Sequence, residues 1–361
     1  MIRYIDEYRN KDMVKLLLGK IRSLSKTNVR FMEVCGGHTM AIQKFGIPSL
    51  LPDNIELVSG PGCPVCVTAI DFIDKAVALA ERKDVIICTF GDLIRVPGST
   101  RTLNEMKANG SDVRIVLSPL EPLKIAKSHP EKKVVFLGIG FETTSPGTAL
   151  AVKQAWHDNL MNYYVLSAHK IMPPAMRALV TEGINIQGFL APGHVSSITG
   201  TGIYRFIAKE FGIPVSVSGF EPVDILQAVC SLVSMVEMNQ PEVKNDYNRA
   251  VRQEGNKKAQ QVLDEVFTFK DDWWRGLGVI PASGFELKEE YQQFDAERAL
   301  NIQPEPSQEP KGCICGDVLK GLKKPQECKL FARICQPETP VGACMVSNEG
   351  ACQAAYRYQK I

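Results

Sequence analysis

No stretch of this sequence approaches the ~18 consecutive apolar residues that cross a bilayer. The opening MIRYIDEYRN lacks the apolar core of a secretory signal. Both absences point to a cytoplasmic protein with no membrane partner. Charge of one sign is also missing. Formal net charge is +2 over 361 residues, so there is no overall electrostatic case for nucleic acid. Only the tail from Lys311 to Ile361 leans basic, with eight Lys and Arg against four Asp and Glu. A solvated face is the first reading of that bias, an acidic partner the alternative. There is no P-loop and no CxxxCxxC spacing of radical enzymes. "GIGFET" (138–143) carries two glycines of a dinucleotide fingerprint, but Thr143 stands at the third. Short-period repeats and low-complexity tracts are absent. The rest is an ordinary globular balance, 45% apolar and 23% charged, long enough for two or three domains.

What the sequence does have is eleven cysteines. Cytosol keeps thiols reduced, which argues against a structural disulfide framework and for metal or redox use. Cys88 in "DVIICTF" and Cys230 in "DILQAVCSLV" sit in apolar runs and read as packing residues. The others fall at Cys35, at Cys63 and Cys66, and in a dense C-terminal block.

Short apolar runs at 84–90, 113–118, 133–140, 163–168, 186–191 and 214–219 read as buried strands. Amphipathic segments such as 67–82, 147–160 and 174–182 lie between them. This alternation predicts α/β architecture with parallel sheets covered on both faces. "GFET" (140–143) and "GFEP" (219–222) form a weak internal echo, which two similar α/β domains around a cleft would explain. The expected division is 1–118 and 119–225 for these, with 226–361 as a mostly helical C-terminal domain. In the latter part, 222–238 and 241–266 read as helices and the Pro-rich 301–312 as a linker. Asp92, Glu142, His194 and Glu221 fall at predicted strand ends, where α/β folds bind ligands.

Six cysteines lie between Cys313 and Cys352. Soft thiolates select zinc, copper(I) or iron–sulfur clusters. A zinc ribbon prefers two CxxC knuckles, and this block has none. Cys328 and Cys335 are seven apart, so one helix could present both on one side. Cys313 and Cys352 could then close a four-thiolate site suited to a cubane [4Fe–4S] cluster, with zinc the alternative. Spacing leaves Cys315 or Cys344 equally able to replace Cys313 or Cys352.

In "FMEVCGGHTM", two glycines after Cys35 allow close approach to the backbone. Cys35 and His38 suit one metal or a nucleophilic pair. The alternative is a buried cysteine before a turn, with His38 bonded to a carbonyl. In "GPGCPVC", Cys66 opens a predicted helix over 66–82 and Cys63 precedes it. A helix N-terminus lowers a thiol's pKa, and Pro64 stiffens the turn. A redox dithiol is the first reading; half a metal site and packing are the alternatives.

"EVCGGHT", "GPGCPVCVT", "TFGDLIRVPGS", "GFETTSPGTA", "APGHVSSITG", "SGFEPVDIL" and "GACMVSNEGAC" together resemble the signature blocks of HypD, the maturation factor family of [NiFe] hydrogenases, in order and over nearly the whole chain. One departure is Met40, where the family often has a second histidine. The resemblance implies two α/β domains and a [4Fe–4S] domain whose ligands are Cys313, Cys328, Cys335 and Cys352. It implies a scaffold on which iron receives two cyanides and one carbon monoxide. The small chaperone HypC binds it, HypE donates cyanide from a terminal thiocyanate, and the Fe(CN)2CO unit passes to the hydrogenase large subunit. On that basis Cys35 is expected to ligate the transient iron, with His38 orienting it or moving a proton. Cys63 and Cys66 are expected to supply electrons, and Glu349 to line the same region or stand as a surface carboxylate.

Overall fold

The computed structural model describes residues 6–359. Two parallel sheets form its frame. The first takes β1 (Val29–Glu33), β2 (Ile55–Ser59), β7 (Gly188–Pro192), β8 (Val215–Ser218) and β9 (Val243–Asn245), in the order β2-β1-β7-β8-β9. The second takes β3 (Val85–Thr89), β4 (Val113–Ile115), β5 (Lys133–Gly140) and β6 (Tyr163–His169), in the order β4-β3-β5-β6. All pairings within both sheets are parallel. The strands read as continuous apolar runs because helices cover both faces. All but the first residue of β5 is buried.

The expected break at 118 falls inside the second sheet, because β3 pairs with both β4 and β5. The chain builds β1 and β2, leaves for the second sheet, and returns at β7. The first sheet therefore joins residues 29–59 to residues 188–245. The strand order reverses at β1, whose neighbours are β2 and β7. Loops at the carboxyl ends of such neighbours form the usual ligand crevice of α/β sheets. Cys35 follows β1 and His194 follows β7.

The C-terminal third is not mostly helical. The helix expected over 241–266 is confined to Lys257–Val266, after β9 and a turn. An antiparallel hairpin follows, β10 (Phe267–Trp274) and β11 (Gly278–Leu287). Its Phe, Val, Ile and Trp residues favour a half-buried ribbon. It docks on the end of β6: the Ile171 N–H donates to Ser283 O at 2.9 Å, and buried Lys170 reaches Asp272 at 2.6 Å and Trp273 O at 2.7 Å. Beyond Lys311 the chain is turns and short helices, the longest being Ala351–Tyr358. Among the described residues no helix is long and apolar enough to cross a membrane.

Candidate functional site

Cys35 leaves β1 in extended conformation and starts the helix Gly36–Lys44. Two glycine loops press together here. The Gly36 N–H donates to Gly62 O at 3.0 Å. A Cβ on Gly62 would lie 2.1 Å from Cys35 N, and one on Gly36 would lie 2.4 Å from the Glu349 Cβ. Only glycine admits this approach. It sets Cys35 against the CPVC loop on one side and Glu349 on the other.

Burial pushes the Cys35 thiol up to about 12; the Glu349 carboxylate adds to this, while the His38 and Gly37 N–H groups oppose it. His38 is fully buried. Its Nε2 donates to Gly219 O at 2.9 Å and its ring stacks on Phe220. Burial lowers it to about 4, so it is neutral, with Nδ1 buried and unpartnered. The carbonyl-bonded alternative for His38 is the one observed. Exposed His194 stacks on the same Phe220, centroids 4.0 Å apart.

Cys63 caps a helix of only four residues, Pro64–Val67, and its Sγ accepts from the Cys66 N–H at 3.3 Å. The helix predicted over 66–82 is broken by extended Thr68 and resumes at Ile70–Ala80. The expected lowering of the Cys66 pKa does not occur. Burial pushes Cys66 up, and the neighbouring Cys63, Cys352 and Glu349 add to this. One turn of helix is too short to offset desolvation.

Cys66 Sγ lies 4.0 Å from Ala343 O, in the turn Ala343–Met345. There Cys344 is bonded to Cys315 as a disulfide, Cα atoms 6.4 Å apart. Both sulfurs lie on the wall of a small apolar cavity that also takes Cys313, Cys328, Cys335 and Cys352, with Leu330, Phe331 and Met345. Cys328 and Cys335 do not share a helix. A tight turn, with Ala332 at φ +58° and the Cys335 N–H donating to Leu330 O, folds one beneath the other. Burial raises Cys352, and the Cys313, Cys335 and Cys328 thiols add to it. Among the described residues no three His, Cys, Asp or Glu side chains converge as a ready-made site for one ion. Cys88 and Cys230 pack in separate apolar clusters, as expected of packing residues.

A family model described as "HypD: Hydrogenase formation hypA family" matches residues 12–359. The chain belongs to the HypD family. The hydrogenase maturation factor HypD of Escherichia coli (strain K12) is 47% identical over 368 residues, covering 99% of each chain. HypD2 of Bradyrhizobium diazoefficiens is 44% identical, over 99% of this chain and 97% of its own. HypD of Cupriavidus necator is 43% identical with the same coverage. This HypD-family chain is accordingly a hydrogenase maturation factor.

Of the strand-end residues, Asp92 is held by Arg95, which also donates to Val346 O at 2.8 Å. This ties the β3 loop to the segment bearing Glu349. Glu221 faces outward to Arg9. Glu142 is buried and accepts from the Met172 N–H at 2.9 Å. Sequence reasoning missed Glu33. It is buried, accepts from Thr39 Oγ1 at 2.7 Å, and leaves Oε2 unpartnered. Its signal was present: strand alternation puts Glu33 and Cys35 on one face.

These buried groups set a pH dependence. Burial raises Glu33 to about 8 and Glu142 to about 7, from 4.5. It lowers His38 and His169 to about 4, from 6.5. Between 4.5 and 6.5 the carboxyls destabilise the fold as pH rises while the histidines stabilise it, two against two. Above 6.5 the carboxyls act alone: the folded chain keeps protons that the unfolded chain has lost. Stability then falls by up to about 1.4 kcal/mol per pH unit per group. The melting temperature of metal-free protein should drop from pH 6.5 to 8, less steeply in Glu33→Gln. A flat wild-type profile rejects the neutral buried carboxyls.

Proposed function

We propose that this chain is the scaffold that holds iron while the Fe(CN)2CO unit of a [NiFe] hydrogenase is assembled. The observation that carries the reading is the continuity of sulfur: Cys35 abuts the CPVC loop, Cys66 abuts the Cys344 turn, and the Cys315–Cys344 disulfide lines the four-thiol cavity.

Cys35 supplies one thiolate to the iron cargo, and a HypC-like chaperone supplies another. Soft sulfur suits iron that carries cyanide and carbon monoxide. Iron binding displaces the Cys35 proton. Glu349, packed against Gly36 beside Cys35 and raised by burial, is the carboxyl at hand to accept it. A HypE-like partner brings cyanide as a thiocyanate. Releasing it takes two electrons, and Cys63 with Cys66 gives two on forming a disulfide. The Cys315–Cys344 pair, once reduced, restores the CPVC dithiol by exchange.

Cys313, Cys328, Cys335 and Cys352 fit a [4Fe–4S] cluster better than a single ion. Among the described residues no three such side chains converge on a site for one ion, and all four thiols line one apolar cavity. A Cβ at Gly342 would intrude to 2.6 Å from Cys313 Sγ, so glycine keeps that wall open. Held by these four thiolates, a cluster would supply one-electron chemistry beside the Cys315–Cys344 pair.

Two other readings are a zinc-bearing interaction module and a free-standing dithiol oxidoreductase. Anaerobic co-purification with the chaperone separates all three. The scaffold predicts brown protein, absorbance near 400 nm, iron and sulfide on analysis, and infrared bands in the cyanide region. Colourless zinc protein, or a cluster with no such bands, rejects it.

A further inference from the structure

A buried guanidinium sits where the CPVC turn meets the C-terminal thiols. Arg275, at the tip of the β10–β11 hairpin, is 4% exposed. Arginine stays ionised in proteins, so its burial needs partners. Nε donates to Thr68 O at 3.2 Å, just past the CPVC helix. Nη1 donates to Glu309 at 2.7 Å. Nη2 is buried with no partner.

The position is fixed from every side. The Arg275 N–H donates to Val67 O at 2.9 Å. Trp274 before it is fully buried and bonded to Ser283 Oγ at 2.9 Å. Gly276 after it has φ +81°, and a Cβ there would lie 2.4 Å from Gly316 Cα, next to Cys315. The hairpin tip is thus wedged between the CPVC turn and the start of the thiol module. The Glu309 side chain is 45% exposed, so water screens its carboxylate and the pair is not fully cancelled. The tip packs on Gly316, the neighbour of Cys315, which lines the same cavity as Cys313.

We propose that Arg275 is a positioning residue that holds positive charge against the thiol module and thereby favours its reduced state. This rests on the reading that the four thiols hold the cluster. Each electron added there raises the negative charge, and net charge and hydrogen bonds to sulfur set such potentials. A cation fixed in a low-dielectric site opposes that cost at no reorganisation.

The test is a redox titration of the anaerobically purified full chain, followed by electron paramagnetic resonance of the reduced cluster. Arg275→Gln should disfavour reduction about tenfold, a negative shift of about 59 mV for one electron. Arg275→Lys should recover most of it. Glu309→Gln should shift the potential positively, because it uncovers the cation. A salt bridge that only braces the fold moves Arg275→Gln and Glu309→Gln in the same direction or not at all, and either result overturns the inference. If Arg275→Gln does not fold, Glu309→Gln decides alone, since an unchanged or lowered potential is fatal. A chain that binds no iron and sulfide overturns the cluster reading and this inference together. A cluster whose potential is equal in all forms overturns the inference alone.

Discussion

Cys35→Ala should give a folded protein with no iron–cyanide infrared bands. The Cys35 side chain makes no capping hydrogen bond at its helix start. Its loss leaves a cavity of one sulfur, worth about 1 kcal/mol. The loss of cargo, by contrast, should be complete. The nearest other thiols are tied into the CPVC turn: Cys63 Sγ accepts from the Cys66 N–H, and Cys66 Sγ lies against Ala343 O. His38 Nε2 is committed to Gly219 O, and its ring is clamped on Phe220. Glu349 offers only hard oxygen, which is a poor match for iron bearing cyanide and carbon monoxide. Cys35→Ser should fail equally for the same reason, though it restores the volume. The measurement is infrared spectroscopy of the complex purified anaerobically with its small chaperone, beside a thermal melt. Bands retained in Cys35→Ala would remove Cys35 from the ligand set.

Much of this site was legible because its chemistry is local in sequence. The strand runs at 84–90, 133–140 and 163–168 are long and apolar, and the structure keeps them within a residue or so as β3, β5 and β6. The carboxyl-end loops carry their polar residues where α/β folds bind ligands, and Cys35 and His194 emerge from adjacent strands. The missed features are non-local. No run of residues announces that the chain leaves the first sheet after β2 and returns at β7, so a boundary near 118 looked natural. The strands β1 and β2 are only five residues each and run into glycine-rich loops at their carboxyl ends, too short to show a period. Cys328 and Cys335 have helical spacing, but Ala332 adopts a left-handed conformation and a tight turn does the same work. The Cys315–Cys344 link cannot be derived from spacing, since six thiols allow many pairings. Burial of Cys66 was also hidden. A helix start suggests an activated thiol, yet desolvation outweighs four residues of helix. Arg275 needed the tertiary fold, because its partners lie near 68 and 309.

Cys63→Ala should abolish cyanide release, whereas Cys66→Ala should permit one release per chain and then stop. Both thiols are buried; the asymmetry follows from the helix start, where the Cys66 N–H donates to Cys63 Sγ at 3.3 Å. Cys66 is completely buried and pushed well above an ordinary thiol, with Cys352 and Glu349 adding to the effect. A thiol so hard to ionise is a poor attacker. Cys63 precedes the helix and is the better placed of the two. In the proposed step its thiolate would attack the thiocyanate sulfur of the donor: a sulfur–sulfur bond forms, the sulfur–carbon bond breaks, and cyanide leaves with the electron pair. Cys66 then attacks Cys63 in the mixed disulfide, closing the CPVC disulfide and returning the donor as a thiol. The dithiol loses two electrons and two protons: one proton goes to the donor sulfur and the other to Glu349 or solvent. Without Cys66 the first step still runs, and the chain is trapped covalently on its donor. Single-turnover mixing with the thiocyanate-bearing partner, followed by non-reducing electrophoresis and cyanide analysis, reads both steps. A trapped adduct in Cys63→Ala would reverse the roles. Undiminished multiple turnover in either variant would show that the electrons come from elsewhere.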